Sequence, residues 1–196
     1  MNRNIHFRNQ SDEELMVLIQ DHRSTDALVE IHRRYSPKLL GYFYKMLNRD
    51  ESLAQDFVQE LFLKLLEKNH LFDREKKFYT WVFTIASNMC KTAYRKLGTT
   101  EEFTPQHNQQ SVFTSDEFAT KQFLASLQLS LDKLDPVHRD VLVLRFLEGF
   151  SLNEITDILE ISIGTVKSRL FYGTKKLTED LKEYDPSFQQ NIFKLM

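Results

Sequence analysis

The chain has 196 residues and a formal charge of −2, because 26 Lys and Arg stand against 28 Asp and Glu. This near-balance argues against a uniformly basic nucleic-acid coat and against an acidic solvating tail, and ordinary shares of hydrophobic (41%) and charged (28%) residues argue against wholesale disorder. The one cysteine, Cys90, excludes an internal disulfide framework and a cysteine-clustered zinc site and indicates a reducing compartment. Since no apolar run reaches membrane length and residues 1–10 have no signal-peptide core, we expect a cytoplasmic protein.

Helical signals dominate the first hundred residues. Ser11 and Glu14 have the spacing of a capping box, which predicts a helix start. A second helix is predicted over about residues 24–47, where Pro37 and Gly41 are expected to bend it or split it in two. Apolar residues at helical spacing predict further helices over residues 51–68 and 78–97, with a charged loop between them.

The composition changes abruptly after residue 97. Residues 98–120 contain four acids and no Lys or Arg, and polar uncharged residues crowd together there, which is typical of a linker. Helical spacing resumes at residue 121, and Pro136 and Gly149 mark the start and the end of a further helix. The sequence therefore predicts an all-α protein of two small helical domains, residues 1–97 and 121–196, joined by a flexible acidic linker over residues 98–120.

The stretch from Ser151 to Leu177 has the pattern of a helix-turn-helix. Ser151 and Glu154 predict a capped first helix, and a short turn at residues 160–162 leads into a second one. Residues 163–177 carry four basic residues and no acid, which is the polarity that docking in a DNA major groove needs. A helical hairpin whose basic residues are simply solvated would give the same local pattern.

A second basic segment covers residues 71–97, which carry six Lys and Arg against two acids and several aromatic residues. Basic groups interleaved with aromatic rings suit single-stranded DNA, whose bases stack on rings while its phosphates meet Lys and Arg. The alternative is that the individual rings belong to the hydrophobic core, which is the interpretation we favour for Trp81 and Phe83.

Together these segments resemble one known family. Residues 134–181, with GTVKSRL at their centre and SLNEI upstream, resemble region 4 of bacterial sigma factors. Independently, ESLAQDFVQELFLKLLE resembles region 2.2, and FYTWVFTIASNMCKTAYRKL resembles regions 2.3 and 2.4. Two such halves in this order, with a linker and no region 3 between them, resemble the extracytoplasmic-function (ECF) group of the sigma-70 family. The resemblance implies a factor that binds RNA polymerase core, recognises the minus-35 and minus-10 promoter elements and promotes DNA opening.

The resemblance also implies a polymerase-binding surface in the first half. Asp56, Gln59 and Glu60 lie at positions i, i+3 and i+4, so they share one face of a helix. In the family the matching residues contact a basic coiled coil of the polymerase β′ subunit, and Phe57 and Leu53 would lie beside them. An ordinary solvated helix face is the alternative. The helix over residues 135–149 is implied to dock on the polymerase β flap, and an anti-sigma factor is an implied regulatory partner.

DNA-binding residues are implied in both halves, including a loop at residues 70–77 that captures a flipped base. For the minus-10 element they are Phe72, Arg74, Lys76, Lys77, Ser87, Asn88, Lys91 and Arg95. For the minus-35 element they are Thr165, Lys167, Ser168, Arg169, Phe171, Tyr172 and Lys175. The chain departs from the family pattern at four positions, with Ser87 and Tyr172 where Arg is frequent, Thr92 where Asp is frequent and Gly173 where Ala is usual. Because Tyr cannot read guanine with two hydrogen bonds as Arg does, we expect an altered promoter preference.

Catalytic and metal chemistry find little support in the sequence. Glu67 and His70 form one Glu-x-x-His pair, whereas a di-iron bundle needs two such pairs and two more Glu residues. We therefore expect no enzyme activity, no metal or other cofactor and no small-molecule substrate. Two further hypotheses stay open: a stand-alone LuxR-type regulator that binds duplex DNA without polymerase, and a helical adaptor that binds only protein.

Overall fold

The computed structural model of the protein describes residues 7–97 and 115–182. Within these residues all regular structure is helical, which confirms the predicted all-α class. The chain divides into two compact units, Met1–Glu102 and Phe103–Met196, and each is described by itself.

Four α-helices lie wholly within the described residues of unit one, and local capping signals account for the starts of the first three. They are α1 (Asp12–His22), α2 (Thr25–Met46), α3 (Glu51–Glu67) and α4 (Phe78–Leu97), with a 3₁₀ turn at Asn69–Leu71. The predicted capping box is confirmed, since the Ser11 hydroxyl accepts from the Glu14 amide and the Glu14 carboxylate accepts from the Ser11 amide. At α2 and α3 the cap is a single bond, since the Ser24 hydroxyl accepts from the Ala27 amide and the Asp50 carboxylate accepts from the Leu53 amide.

Helix α2 is continuous through Pro37, so of the two expected outcomes, a bend or a split, the split does not occur. Pro37 lies on the exposed side of the helix, where solvent can satisfy the carbonyl group that proline leaves without an amide partner. The opposite face of α2 buries Tyr42 and Phe43. The Tyr42 ring packs edge-on against Phe83 of α4 at 5.3 Å, and the Phe43 ring packs against Phe57 of α3 at the same distance. These contacts hold α2, α3 and α4 around one core.

A network of charged groups joins α1 to α2. The Glu30 carboxylate accepts hydrogen bonds from the guanidinium groups of Arg33 and Arg34, and these bonds hold its pKa at about 2. Arg34 also binds Asp12 at 2.6 Å. The Tyr35 hydroxyl also donates to the Asp12 carboxylate. Burial together with that bond raises the pKa of Tyr35 above its usual range.

The described part of unit two, residues 115–182, forms four further α-helices and a π-helical turn. They are α5 (Ser115–Asp132), α6 (Pro136–Leu142), the π turn Val143–Leu147, α7 (Leu152–Leu159) and α8 (Ile163–Asp180). Pro136 is at the start of its helix, as predicted. Helix α5 begins six residues before the predicted end of the linker, so residues 115–120 are helical and only residues 98–114 of that stretch lie outside the described residues. The Ser-Asp-Glu run at 115–117 is a helix-start signal that composition alone obscures.

Helices α7 and α8 form the predicted helix-turn-helix. The second capping box is confirmed at Ser151 and Glu154. Glu160 ends α7 in the left-handed region with φ = 56°, where a residue with a side chain is strained. Ser162 then caps α8 through the amide of Thr165. The prediction of two helices joined by a three-residue turn is therefore confirmed.

Candidate nucleic-acid and protein interfaces

Helix α3 presents a stripe of acidic and amide side chains to solvent. Asp56, Gln59 and Glu60 are all exposed, whereas Phe57 and Leu53 are only half-buried beside them. Continuing the same face, Leu63 exposes 61% of its surface. A face that combines negative charge with accessible leucine and aromatic surface has the chemistry of a protein-docking site for a basic partner.

The loop between α3 and α4 (residues 68–77, here the α3–α4 loop) is fastened to α1 by side chains far away in sequence. Gln20 Nε2 donates to the carbonyl oxygens of Asn69 (2.7 Å) and Phe72 (2.9 Å). Arg74 Nε donates to Gln20 Oε1 at 2.8 Å, and Arg74 Nη2 donates to Asp21 Oδ1 at 2.5 Å. The guanidinium hydrogen bond holds the pKa of Asp21 below its usual value.

The same helix also fixes the start of α4. Glu13 Oε1 accepts from the backbone N–H of Phe78, the first residue of α4, at 2.9 Å. A carboxylate at a helix N-terminus is favourable because it satisfies an unpaired amide and faces the positive end of the helix dipole. Three residues of α1 (Glu13, Gln20 and Asp21) therefore set the position of the α3–α4 loop and of the helix that follows it.

Two of the residues predicted to bind the minus-10 element are buried in the core of unit one. Phe72 exposes 3% of its surface, and its ring packs against Phe78 and Trp81 at 5.9 Å and 5.2 Å. Ser87 is fully buried. Neither side chain is accessible from solvent, so neither can contact DNA in this packing. In each case the helix period and the loop path turn the residue inward, which the composition of the segment did not reveal.

The remaining minus-10 residues are accessible. Lys76 and Lys77 are exposed in the α3–α4 loop, and Asn88 and Arg95 are exposed on α4, with Lys91 half-buried between them. The α4 residues are linked along one face, since Lys91 Nζ lies 3.4 Å from Asn88 Oδ1. Arg95 Nη2 donates to Thr92 Oγ1 at 3.2 Å, and that hydroxyl donates to the Asn88 carbonyl at 2.8 Å. The result is a polar and basic stripe (the α4 stripe: Asn88, Lys91, Thr92 and Arg95).

Helix α8 presents most of its predicted minus-35 residues on one accessible face. Lys167, Ser168, Phe171, Tyr172 and Lys175 are exposed, and Thr165 and Arg169 are half-buried. The rings of Phe171 and Tyr172 touch edge-on at 5.3 Å while exposing 64% and 60% of their surface. Large aromatic side chains this exposed, side by side among lysines, suit contact with base edges and phosphates.

Gly173 belongs to the opposite side of α8. It is buried, and a Cβ atom there would lie 3.0 Å from Leu142 Cδ1 and 3.4 Å from His138 Cβ. The glycine therefore permits a close approach of α8 to α6.

Sequence reasoning missed Glu13, Gln20 and Asp21, because ordinary polar residues on a short helix carry no signal of a partner 49 or more positions away. It also did not single out Leu63, which is exposed beside Gln59 and Glu60.

Within the described residues, no group of three or more His, Cys, Asp or Glu side chains could hold a metal ion. A search of the same residues finds no helix with the length and apolar character to cross a membrane.

Both halves of the chain match known sequence families. The profile of Sigma-70 region 2 matches residues 31–100, and that of Sigma-70 region 4 matches residues 130–179. The ECF RNA polymerase sigma factor SigW of Bacillus subtilis is 31% identical over 170 residues, covering 81% of this chain and 90% of that protein. The RNA polymerase sigma factor CarQ of Myxococcus xanthus is 28% identical over 165 residues, covering 82% and 92%.

Solved structures share the fold. CnrH, determined with the cytosolic domain of CnrY, superposes with a TM-score of 0.67 at 23% identity, covering 90% of this chain and all of that one. The sigma factor RpoE of Bartonella quintana, determined with the anti-sigma factor NepR, gives a TM-score of 0.63 at 24% identity, covering 78% of this chain and 95% of that one. With region 2 and region 4 both matched and relatives aligned along most of their length, this chain belongs to the ECF RNA polymerase sigma factors of the sigma-70 family.

Proposed function

We propose that this sigma factor binds RNA polymerase core through unit one and reads a promoter with one surface of each unit. The observation that carries the proposal is the presence, in one chain, of an exposed basic and aromatic face on α8 and a basic stripe on α4. Two such faces match the two elements of a promoter, whereas a single duplex-binding regulator needs only the first.

The acidic face of α3 is the proposed site for the basic coiled coil of the β′ subunit. Asp56 and Glu60 would supply charge, and Leu63 with the accessible edge of Phe57 would supply apolar contact. In unit two, α6 and the π turn are the proposed contact for the β flap, where Val137 exposes 41% of its surface. Charge on these faces favours fast and specific association, and the apolar contacts supply the affinity.

The α4 stripe and the two loop lysines, Lys76 and Lys77, are the proposed site for the minus-10 strand once it is opened. Lysine and arginine would bind the phosphates of a single strand, and Asn88 can donate to and accept from a base edge. Thr92, which the sequence did not single out for contact, lies within the stripe and would be covered by the same strand.

Helix α8 is the proposed reader of the minus-35 duplex in its major groove. Lys167 and Lys175, more than two turns apart along α8, would bind phosphates, while Ser168, Phe171 and Tyr172 would face the bases. Since an aromatic ring favours apolar contact with thymine methyl groups over a bidentate contact to guanine, we expect a preference for A·T pairs opposite residues 171–172.

Promoter-specific run-off transcription with purified core polymerase tests the proposal. Initiation from promoters recovered in a genomic selection is expected, and failure of the holoenzyme to start on any of them would contradict it. A LuxR-type regulator would instead shift duplex DNA without core, and a protein-only adaptor would keep its function when Lys167 and Arg169 are reversed to Glu.

Regulation and location are proposed from the family. The Bartonella quintana relative was determined with an anti-sigma factor, and a comparable partner here would cover the α3 face and so prevent binding to core. We propose that the protein acts beside RNA polymerase in the cytoplasm and works by binding, with the polymerase supplying the chemistry.

A further inference from the structure

The connection between α1 and the α3–α4 loop goes beyond packing, because every polar group of one amide side chain is used in it. Both hydrogens of Gln20 Nε2 point to backbone carbonyls of the loop, at Asn69 and Phe72. Its oxygen accepts from Arg74. An amide whose two donors and acceptor all bind one segment fixes that segment in position and orientation.

Arg74 of the loop binds two neighbouring residues of α1, Gln20 and Asp21. Its guanidinium spans Gln20 and Asp21 and therefore closes a ring of hydrogen bonds from α1 to the loop and back. Its side chain and that of Asp21 are 48% and 42% exposed, so the pair is accessible to solvent but already engaged. These two bonds use two of the five guanidinium N–H groups of Arg74 and orient the group toward α1.

We propose that Arg74 is a positioning residue, held by Gln20 and Asp21 of α1, that keeps the α3–α4 loop ready to receive the minus-10 strand without itself binding DNA. This rests on the proposed function of that loop. Helix α1 thereby becomes part of the promoter-opening apparatus although it carries none of the predicted DNA contacts. Preformed loops bind more tightly because they lose less conformational entropy on binding.

A charge-swap experiment separates positioning from DNA contact. Reversal at one position (Arg74→Asp or Asp21→Arg) places like charges together, whereas the double variant Asp21→Arg/Arg74→Asp restores the pair with opposite polarity. A DNA-binding arginine could not be replaced by aspartate in any background, since the new carboxylate would repel phosphates. An arginine that only positions the loop could be replaced by aspartate, provided that position 21 carries the opposite charge.

The first measurement is hydrogen exchange on the full-length protein alone. The amides of Leu71, Phe72 and Lys76 donate to carbonyls within the loop and report its order. We expect each single reversal to speed their exchange about fivefold, Gln20→Leu to speed it about tenfold, and the double variant to restore the wild-type rate. Glu67→Gln, a change of an exposed carboxylate at the rim of the adjoining cleft, is the matched control and should leave exchange unchanged.

The second measurement is promoter opening by holoenzyme, followed with permanganate reactivity of unpaired thymines. The single reversals should slow opening about fivefold, in step with loop exchange, and the double variant should recover. If the double variant regains protection but stays defective in opening, or if the single variants leave exchange unaltered, the positioning role is wrong. Failure of the wild-type holoenzyme to open any promoter would instead overturn the proposed function, while the exchange result would still decide how the loop is held.

Discussion

Gly173 and Leu142 are in such close contact that a Cβ atom at position 173 would lie 3.0 Å from Leu142 Cδ1. Leu142 is fully buried and belongs to the core formed by α5, α6 and α8, so it has little room to move. We expect Gly173→Val to lower the free energy of unfolding of unit two by about 2–3 kcal/mol, because it overpacks this contact. Gly173→Ala should cost much less, since better helix propensity, about 1 kcal/mol, offsets the clash. Chemical denaturation followed by circular dichroism measures both, and equal stability of the two variants would contradict the contact.

The Glu30 network gives unit one a stability that depends on pH. The pKa of Glu30 is about 2 in the folded protein against an ordinary value of 4.5. A lowered pKa means that the stabilisation is complete above about pH 4.5 and is lost as the pH falls toward 2. We expect Glu30→Gln to lower the free energy of unfolding of unit one by about 1–2 kcal/mol at pH 6. This is less than the pKa shift alone would give, because the side chain of Arg33, its first partner, is 57% exposed and solvent screens that bond. That difference should shrink steadily below pH 4.5.

The fluorescence of the single tryptophan, Trp81, isolates this effect, because it lies in α4 of unit one. Urea unfolding of both proteins at several pH values between 2 and 6 gives the two curves. A difference that stays constant across this range would mean that Glu30 does not titrate with the lowered pKa.

The α3 face can be tested by charge reversal. Asp56→Lys and Glu60→Lys should each weaken binding to core polymerase about 10- to 100-fold, because they turn attraction to a basic partner into repulsion. Asp157→Lys makes the same change at an exposed site on α7 and should leave core binding intact. The affinity of each variant for core polymerase can be measured by fluorescence anisotropy with labelled sigma factor. Equal losses of affinity in all three variants would show a nonspecific effect of charge.

On α8, phosphate contacts and base contacts should respond differently to substitution. Lys167→Ala is expected to weaken holoenzyme binding for all minus-35 sequences alike and to reduce the dependence of binding on salt by about one ion. Phe171→Ala should instead reduce discrimination between sequences. Lys133→Ala, which removes an exposed lysine at the end of α5, is the control. If the effect of Lys167→Ala depended on the minus-35 sequence, Lys167 would contact bases and not only phosphates.

Cys90 exposes 1% of its surface within unit one, so its thiol should be inert in the folded protein. Reaction with an aromatic disulfide reagent is expected to be slow in buffer and fast in urea, with the rate following the opening of unit one. Rapid reaction in buffer would show that α4 opens locally.

How far the sequence predicted the structure depends on how local the determining interactions are. The capping boxes at Ser11 and Ser151 were predicted because the side chains that define them lie within one turn of the helix start. The bounds of α4 were predicted from the helical spacing of its apolar residues. Acidic and basic faces were predicted for the same reason, since helical spacing alone places residues on one side.

Interactions between distant segments were not predictable in this way. Phe72 and Ser87 turn inward because of how the loop and α4 pack, and Gly173 faces α6 because two helices approach closely. Gln20 binds carbonyls 49 and 52 positions away, and backbone carbonyls leave no trace in a sequence. The candidate surfaces were therefore predicted as sets of residues, while the roles of individual members depended on tertiary contacts.

Arg34 has a consequence for how the protein can be trimmed or fused. Besides its two carboxylate partners, its guanidinium donates to the backbone carbonyls of Phe7, Arg8 and Gln10, at 2.9, 3.1 and 2.9 Å. These bonds depend on main-chain atoms, so any sequence that keeps the same path could replace residues 7–10. Deleting them would leave donors of a half-buried guanidinium without their acceptors. The backbone of the residues just before α1 thus holds the Arg34 side chain in place, and a shortened version of the protein should begin before residue 7.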